Sequence, residues 1–184
     1  MKLNLGSGYK RYDGFVNVDA DHHCNPDFLV NLEEGNLPFD DNSVEEVRAY
    51  HILEHIGAGF IPLLHELYRV CCHGALLDIR VPHHFHETFL TDPTHKRPIT
   101  VEGMRLFSQT VNRREIAQNG TSSTLGIMYD VDFELVDFQF VQDMFYDDIL
   151  KSMSQQDAYR LLRETNNSTV ETRIKLMVIK HGNA

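Results

Sequence analysis

The chain has 184 residues, of which 42% are apolar and 24% charged, and a formal net charge of −10 with histidines neutral. That length suits one domain with one sizeable core. The acidic balance, relieved only by Lys96-Arg97, Arg113-Arg114 and Arg160 to Arg163, disfavours nucleic acid, whose phosphates require a basic stripe. No apolar run approaches the roughly 20 residues that cross a bilayer. The opening "MKLNLGSGYK" lacks the apolar core of a secretory signal, and Cys24, Cys71 and Cys72 make no disulfide framework. A cytoplasmic protein with no membrane partner is the expectation.

The predicted elements begin at once. KLNLG, residues 2–6, reads as a short buried strand closed by glycine, FVNVD (15–19) as a second strand ending in Asp19, and DFLVNL (27–32) as a third. In NSVEEVRAYHIL (42–53), Ser43 and Glu46 stand at capping-box spacing. Val44, Val47 and Ala49 sustain no helical stripe, so a strand is predicted around 45–50. Phe60, Leu64, Leu67, Tyr68 and Cys71 recur at helical spacing, with Pro62 in the first turn and Gly74 as the stop. ALLDIRVP (75–82) is a strand and 82–98 a polar loop. A helix over 101–117, a strand at FELVDFQFV (133–141), a helix over 147–163 and a closing strand at TRIKLMVIK (172–180) follow. Strands alternating with helices predict a parallel-type α/β sheet. Phe133, Phe138, Phe140 and Phe145 are expected in the core. Segment 147–169 is expected to be a substrate lid or a contact in a homo-oligomer.

His51-Ile52-Leu53-Glu54-His55 spells H-x-x-E-H, the signature of inverted zinc proteases. That chemistry needs both histidines on one face of a helix. Here a predicted strand precedes the pentapeptide, and Gly57 and Gly59 follow it, so a strand-to-loop junction is expected.

LNLGSG places Gly6 and Gly8 just after the first strand, where glycine lets the backbone turn tightly and approach a ligand. A dinucleotide fingerprint would want a third glycine and an acidic residue about 20 positions on. Asp19 comes only 11 after Gly8, which leaves little room for a helix between the strands.

The ordered set LNLGSG, FVNVD, VNLEEGNLPFDDNSVEEVRAYHILEHI and LLHELYRVCCHGALLDIRVP resembles the class I S-adenosylmethionine-dependent methyltransferases, in particular the methyltransferase type 11-like branch. The resemblance covers about residues 2–82 and a strand pair at the C-terminus. It implies a Rossmann-like fold, with a mostly parallel sheet, an antiparallel last strand and helices on both faces. It implies S-adenosylmethionine as cofactor. Gly6, Ser7 and Gly8 would pass under its methionine part, and Asp19 would hold the ribose hydroxyls. Asn31 and Leu32 would border the adenine, and His51 and Ile52 would lie near the sulfonium and the acceptor. Glu54 and His55 would fix the loop. The chain departs from the family's pattern at Asn4 and Asn31, where acidic residues are common, and with the first strand at residues 2–6 the usual N-terminal cap over the substrate is not expected.

The loop RVPHHFHETFLTDPTHKRPIT carries His83, His84, His86, Asp92 and His95 beyond the fifth strand, where open α/β sheets bind ligands. Three readings stay open: local hydrogen bonding, a substrate pocket with one histidine as general base, or a metal site. The spacing matches no standard zinc pattern, so no metal ligand is assigned. Arg80, Lys96 and Arg97 could meet an anionic substrate or remain solvated. Asp147-Asp148 are expected at a helix start and Cys71-Cys72 at a helix end.

The expected function is methyl transfer from S-adenosylmethionine to an oxygen or nitrogen of a small-molecule or sugar-like acceptor, with His51, His83 or His95 accepting the proton. The alternatives are a catalytically silent binding or sensor protein on the same fold, and a metal-dependent enzyme using the histidine-rich loop.

Overall fold

A computed structural model describes residues 1–181. Seven strands form one sheet in the order β3-β2-β1-β4-β5-β7-β6. They are β1 (Lys2–Leu5), β2 (Val16–Asp19), β3 (Phe28–Leu29), β4 (Val44–Tyr50), β5 (Cys71–Pro82), β6 (Phe133–Gln142) and β7 (Thr169–Val178). The first five pair in parallel, and β7 is antiparallel to both β5 and β6. Leu3 and Leu5 of β1, Val47 and Ala49 of β4, Leu77 and Ile79 of β5, and Ile174 and Leu176 of β7 are buried. A sheet covered in this way calls for apolar side chains along its central strands.

The crossover from β4 to β5 runs through α1 (Phe60–Val70), which buries Phe60, Leu63, Leu64, Leu67 and Val70. Its start is capped from elsewhere in the chain. The Glu33 carboxylate accepts the backbone N–H groups of Gly57 and Gly59 at 2.6 and 3.0 Å. Those two donors hold the Glu33 carboxyl below its ordinary range. A Cβ at Gly59 would lie 2.0 Å from the Glu33 carbonyl oxygen, so this approach requires glycine there.

The crossovers from β1 to β2 and from β2 to β3 hold no α-helix, only a 3-10 turn at His22–Cys24 in the second. A polar chain, buried at Asn4 and Asn17 and exposed at Asp27, holds the glycine loop instead. Asn4 Nδ2 donates to the Lys10 carbonyl and to Asn17 Oδ1, and Asn17 in turn donates its backbone N–H and Nδ2 to Asp27. Asn4 is a donor in both of its bonds. A carboxylate could not replace it, which accounts for an amide at this position.

Beyond β5 come α2 (Glu87–Thr91), α3 (Val101–Arg105), α4 (Gln109–Ala117) and α5 (Leu125–Met128). Helices α6 (Asp147–Lys151) and α7 (Gln155–Glu164) lie between β6 and β7. Four details differ from the sequence expectations. The helix expected over 101–117 breaks because Ser108 caps a new start, its hydroxyl accepting from Val111 N. The helix expected over 147–163 is likewise divided at Ser154, which caps α7. Cys71, Cys72 and Gly74 belong to β5 rather than to the end of α1. Gly74 has φ +81° and sits where the register against β4 shifts, the place for an irregularity in a strand. Of the phenylalanines expected in the core only Phe133 is buried. Phe138, Phe140 and Phe145 are exposed, the first two because β6 is an edge strand whose residues 136–140 are uncovered on both faces.

Candidate functional site

The carboxyl ends of the parallel strands meet at one edge of the sheet, where open α/β folds bind ligands. Because β7 is antiparallel, its first residues arrive at that same edge, with Glu171 paired to Pro82 at the end of β5. His51 follows β4 directly. It adopts φ +55°, unusual for a non-glycine residue, and its N–H donates to the Arg80 carbonyl at 2.7 Å. The next turn, Leu53–His55, is a 3-10 turn and not an α-helix. The H-x-x-E-H pentapeptide therefore does not present the helical face of a zinc protease.

Two pockets share this edge. The smaller, about 190 Å³, is lined by Gly6, Ser7, Lys10, Tyr50, His51 and Glu171 among others. The larger, about 590 Å³, is an open cleft lined by residues including His51, Glu54, His55, Asp92, His95 and Glu171. His51 and Glu171 belong to both. Nε2 of His51 lies 3.0 Å from Oε2 of Glu171, and Nδ1 stands 3.6 Å from Oε1 of Glu54. The two carboxylates, Glu54 foremost, raise the His51 pKa against the opposing effect of burial. Burial works to raise Glu171, but Arg173 and His51 outweigh it and hold the carboxyl below its ordinary value.

At the glycine loop, Gly6 and Gly8 have φ +59° and +49°. A Cβ at Gly6 would fall 2.5 Å from Cγ1 of Ile52, whereas one at Gly8 would meet nothing within 4 Å. Ser7 is buried, and its hydroxyl has no hydrogen-bond partner among the described residues. Asp19, at the end of β2, accepts the Gly8 N–H at 2.7 Å and the Asp21 N–H at 2.9 Å. Asn31 accepts the Glu33 N–H and begins the 3-10 turn Leu32–Glu34, while the Leu32 side chain is buried in the core.

The histidines of the 83–95 loop separate into different roles. His95 reaches the large cleft; its ring stacks on Phe89 and meets His55 edge-on. His86 is buried: its Nδ1 accepts the Thr88 N–H at the start of α2, and its Nε2 faces Asp143 at 3.3 Å. His83 lies against His84 and Phe140 and does not line the cleft. Burial, reinforced by His84 and His86, pushes its pKa down to about 4. The structure thus brings together His51 and His95 of the three expected proton acceptors and leaves His83 apart. Arg97 binds the Ile56 and Gly57 carbonyls and stacks on Phe60, so its guanidinium is committed to the loop.

Sequence reasoning missed Glu171. It stands 120 positions from His51, and no spacing rule links them. The available signal is topological: the first residues of an antiparallel last strand come to the site edge.

The fold is that of the class I methyltransferases. A solved S-adenosylmethionine-dependent methyltransferase from Archaeoglobus fulgidus superposes with a TM-score of 0.63 at 15% identity, over 96% of this chain and 85% of that one. Phosphoethanolamine N-methyltransferase 2 of Haemonchus contortus, solved with S-adenosyl-L-methionine, gives a TM-score of 0.56 at 14% identity, over 97% of this chain and 48% of that one. The 4+2 cyclase SpnF gives a TM-score of 0.56 at 13% identity, over 98% of this chain and 75% of that one. No family model and no curated protein sequence matches the chain. At these identities the likeness is one of the methyltransferase fold, and SpnF illustrates that the fold by itself does not fix the reaction.

Proposed function

We propose that the chain transfers a methyl group from S-adenosylmethionine to an oxygen or nitrogen of a small, polar, sugar-like acceptor. The observation that carries this reading is the partition of the site edge into two pockets that share His51 and Glu171. The loops around the smaller pocket carry the residues that would hold the cofactor, Gly6 and Ser7 in its lining and Gly8, Asp19, Asn31 and Ile52 outside it. Gly6 and Gly8 bring bare backbone to the surface beside the buried, unpartnered Ser7 hydroxyl. Asp19 has accepted two backbone N–H groups, and a carboxylate keeps further lone pairs for ribose hydroxyls. Asn31 and the backbone at Leu32 would border the adenine, and Ile52 would pack beside the methionine part. S-adenosylmethionine, when bound, supplies a sulfonium methyl group that leaves its sulfur as the acceptor's lone pair attacks.

The protein's own contribution is alignment and proton removal. Holding donor and acceptor in adjoining pockets that meet at His51 and Glu171 would bring the acceptor atom in line with the methyl group, and such orientation is the largest gain open to the reaction. His51 takes the acceptor's proton. Its pKa is raised by the flanking carboxylates, which stabilise the imidazolium that forms.

The lining supports a small hydroxylated acceptor: Glu54, Asp92, Glu171 and the histidines can accept from hydroxyl groups, Arg173 can donate, and Pro82, Val141 and Val170 offer apolar contact. Calorimetric titration with S-adenosylmethionine and its demethylated product tests the reading. Micromolar binding is expected, followed by turnover in a screen of polyols and sugars. No binding at millimolar ligand would sink it.

A further inference from the structure

The floor of the large cleft holds a carboxylate that the protein leaves unsatisfied. Glu54 is 1% exposed, and neither of its oxygens has a hydrogen-bond partner among the described residues. His51 Nδ1 at 3.6 Å and His95 Nε2 at 4.0 Å stand beyond hydrogen-bond length. Only the backbone of Glu54 serves the loop, its carbonyl accepting the Lys96 N–H at 2.7 Å. Buried carboxylates without donors are strongly unfavourable, and those that persist are paired with a cation or ligate a metal.

The neighbouring imidazoles are oriented to complete such a site. Nδ1 of His95 lies 2.7 Å from the Phe89 carbonyl oxygen, which can only accept. The proton is therefore on Nδ1, and in the neutral ring Nε2 carries the lone pair. Nδ1 of His55 lies 2.8 Å from the Thr94 hydroxyl, which lies 2.6 Å from Asp92 Oδ1. The carboxylate takes the hydroxyl's hydrogen, so the hydroxyl accepts from His55 Nδ1–H and leaves that ring's Nε2 as a base too. One ligand atom from each of Glu54, His55 and His95 falls within 4.8 Å of the others. With both rings neutral, three acceptor atoms face one another here, and the nearest donor to Glu54 outside the set is His51 Nδ1 at 3.6 Å.

We propose that Glu54, His55 and His95 form a three-ligand site for a divalent transition-metal ion, with its open positions facing the cleft. Two imidazoles and one carboxylate suit zinc, iron(II), cobalt(II), nickel or manganese, whereas calcium and magnesium prefer all-oxygen sets. The Phe89 carbonyl and the Asp92–Thr94 relay are the hydrogen-bond partners that fix a ligating imidazole's tautomer. Ligand atoms about 2 Å from one ion lie about 3 to 4 Å apart, so the site closes by small side-chain rotations. Sequence spacing alone does not disclose it, because the ligands come from two loops, Glu54 and His55 after β4 and His95 beyond α2. The second cluster of this kind, Asp21, His22 and His23, is exposed throughout and has no orphaned buried group. It serves as the control. The role of the metal rests on the methyl-transfer reading: an acceptor hydroxyl bound at an open position would lose its proton more readily. The site itself does not rest on it.

The test uses full-length protein without a polyhistidine tag, stripped with a chelator and titrated with cobalt(II). The visible absorption of the bound ion and metal analysis give the stoichiometry. One equivalent is expected at micromolar affinity or tighter, with at least about 10-fold weakening in Glu54→Gln and in His95→Ala and no change in Asp21→Ala. Glu54→Gln has nearly native volume and no hydrogen bonds to lose, so it carries the test should His95→Ala fail to fold. Absence of stoichiometric binding by the wild type, or undiminished binding by Glu54→Gln, overturns the proposal. A parallel titration with S-adenosylmethionine separates the two ideas. Cofactor binding without metal binding removes this site and leaves methyl transfer standing, and metal binding without cofactor binding does the reverse.

Discussion

Nε2 of His51 lies 3.0 Å from Oε2 of Glu171, and the pair lines both pockets at the site edge. His51 is placed there by a left-handed backbone conformation at the end of β4, and Glu171 by the antiparallel entry of β7. On the proposed chemistry, His51→Ala lowers kcat by about 100-fold or more, the usual contribution of a general base. Glu171→Gln keeps an acceptor for the imidazole but removes the charge, so a smaller loss, about 10-fold, is expected in kcat, with little change in KM. Steady-state kinetics on the first acceptor found would check the pair. Equal activity in His51→Ala would remove the base assignment.

Asp19 is the anchor proposed for the ribose. Asp19→Ala deletes a charged acceptor whose hydrogen bonds contribute about 1.5–3 kcal/mol each. Cofactor affinity is expected to fall by about 10-fold to 100-fold in calorimetry. An unchanged affinity would place the ribose elsewhere.

Gly6 and Gly8 separate two effects of a glycine. Both have positive φ, which costs an L-residue about 1–2 kcal/mol. Only at Gly6 does an added Cβ collide with a neighbour, Ile52. Gly8→Ala should therefore retain weakened cofactor binding, whereas Gly6→Ala should lose it and shift the Ile52 resonances in a methyl NMR spectrum. Equal behaviour of the two variants would contradict the packing around Gly6.

Asp27 ties the helix-free first crossover to the sheet. The Asn17 backbone N–H and amide, followed by the Arg11 guanidinium, pull its carboxyl down to about 2. For an acid depressed on folding, the stabilisation is complete above the unfolded value of about 4 and is lost as pH falls through about 2. Asp27 is partly exposed, so solvent screens part of the effect, and Asp27→Ala should cost only about 1 kcal/mol near neutral pH. Urea denaturation of the two proteins should show that difference shrinking between about pH 4 and about pH 2. A gap independent of pH would assign the loss to packing instead.

The strands and the outline of the fold were legible because their signals are local. KLNLG, FVNVD and VEEVRAY carry their burial in their own composition, and the absence of a helix after Gly8 followed from the short count to Asp19. The failures were also physical. Ser108 and Ser154 restart helices that apolar periodicity alone joins together. Phe138 and Phe140 are exposed because β6 lies at the sheet edge, a fact of strand order. His83, His84, His86 and His95 look alike in a loop of seventeen residues, 82–98. They differ only by what each ring meets: Phe140 for His83, Asp143 for His86, and the Phe89 carbonyl for His95.

The sequence by itself determined the glycine loop, the acidic end of β2 and the strand-to-loop setting of H-x-x-E-H, since each depends on residues within a few positions of one another. The tertiary structure alone decided which groups share the site. Glu171 meets His51 only after an antiparallel strand returns to the sheet edge, and Glu54, His55 and His95 converge only when two loops fold over the same cleft. Strand pairing and loop closure create those neighbours, and no local pattern records them.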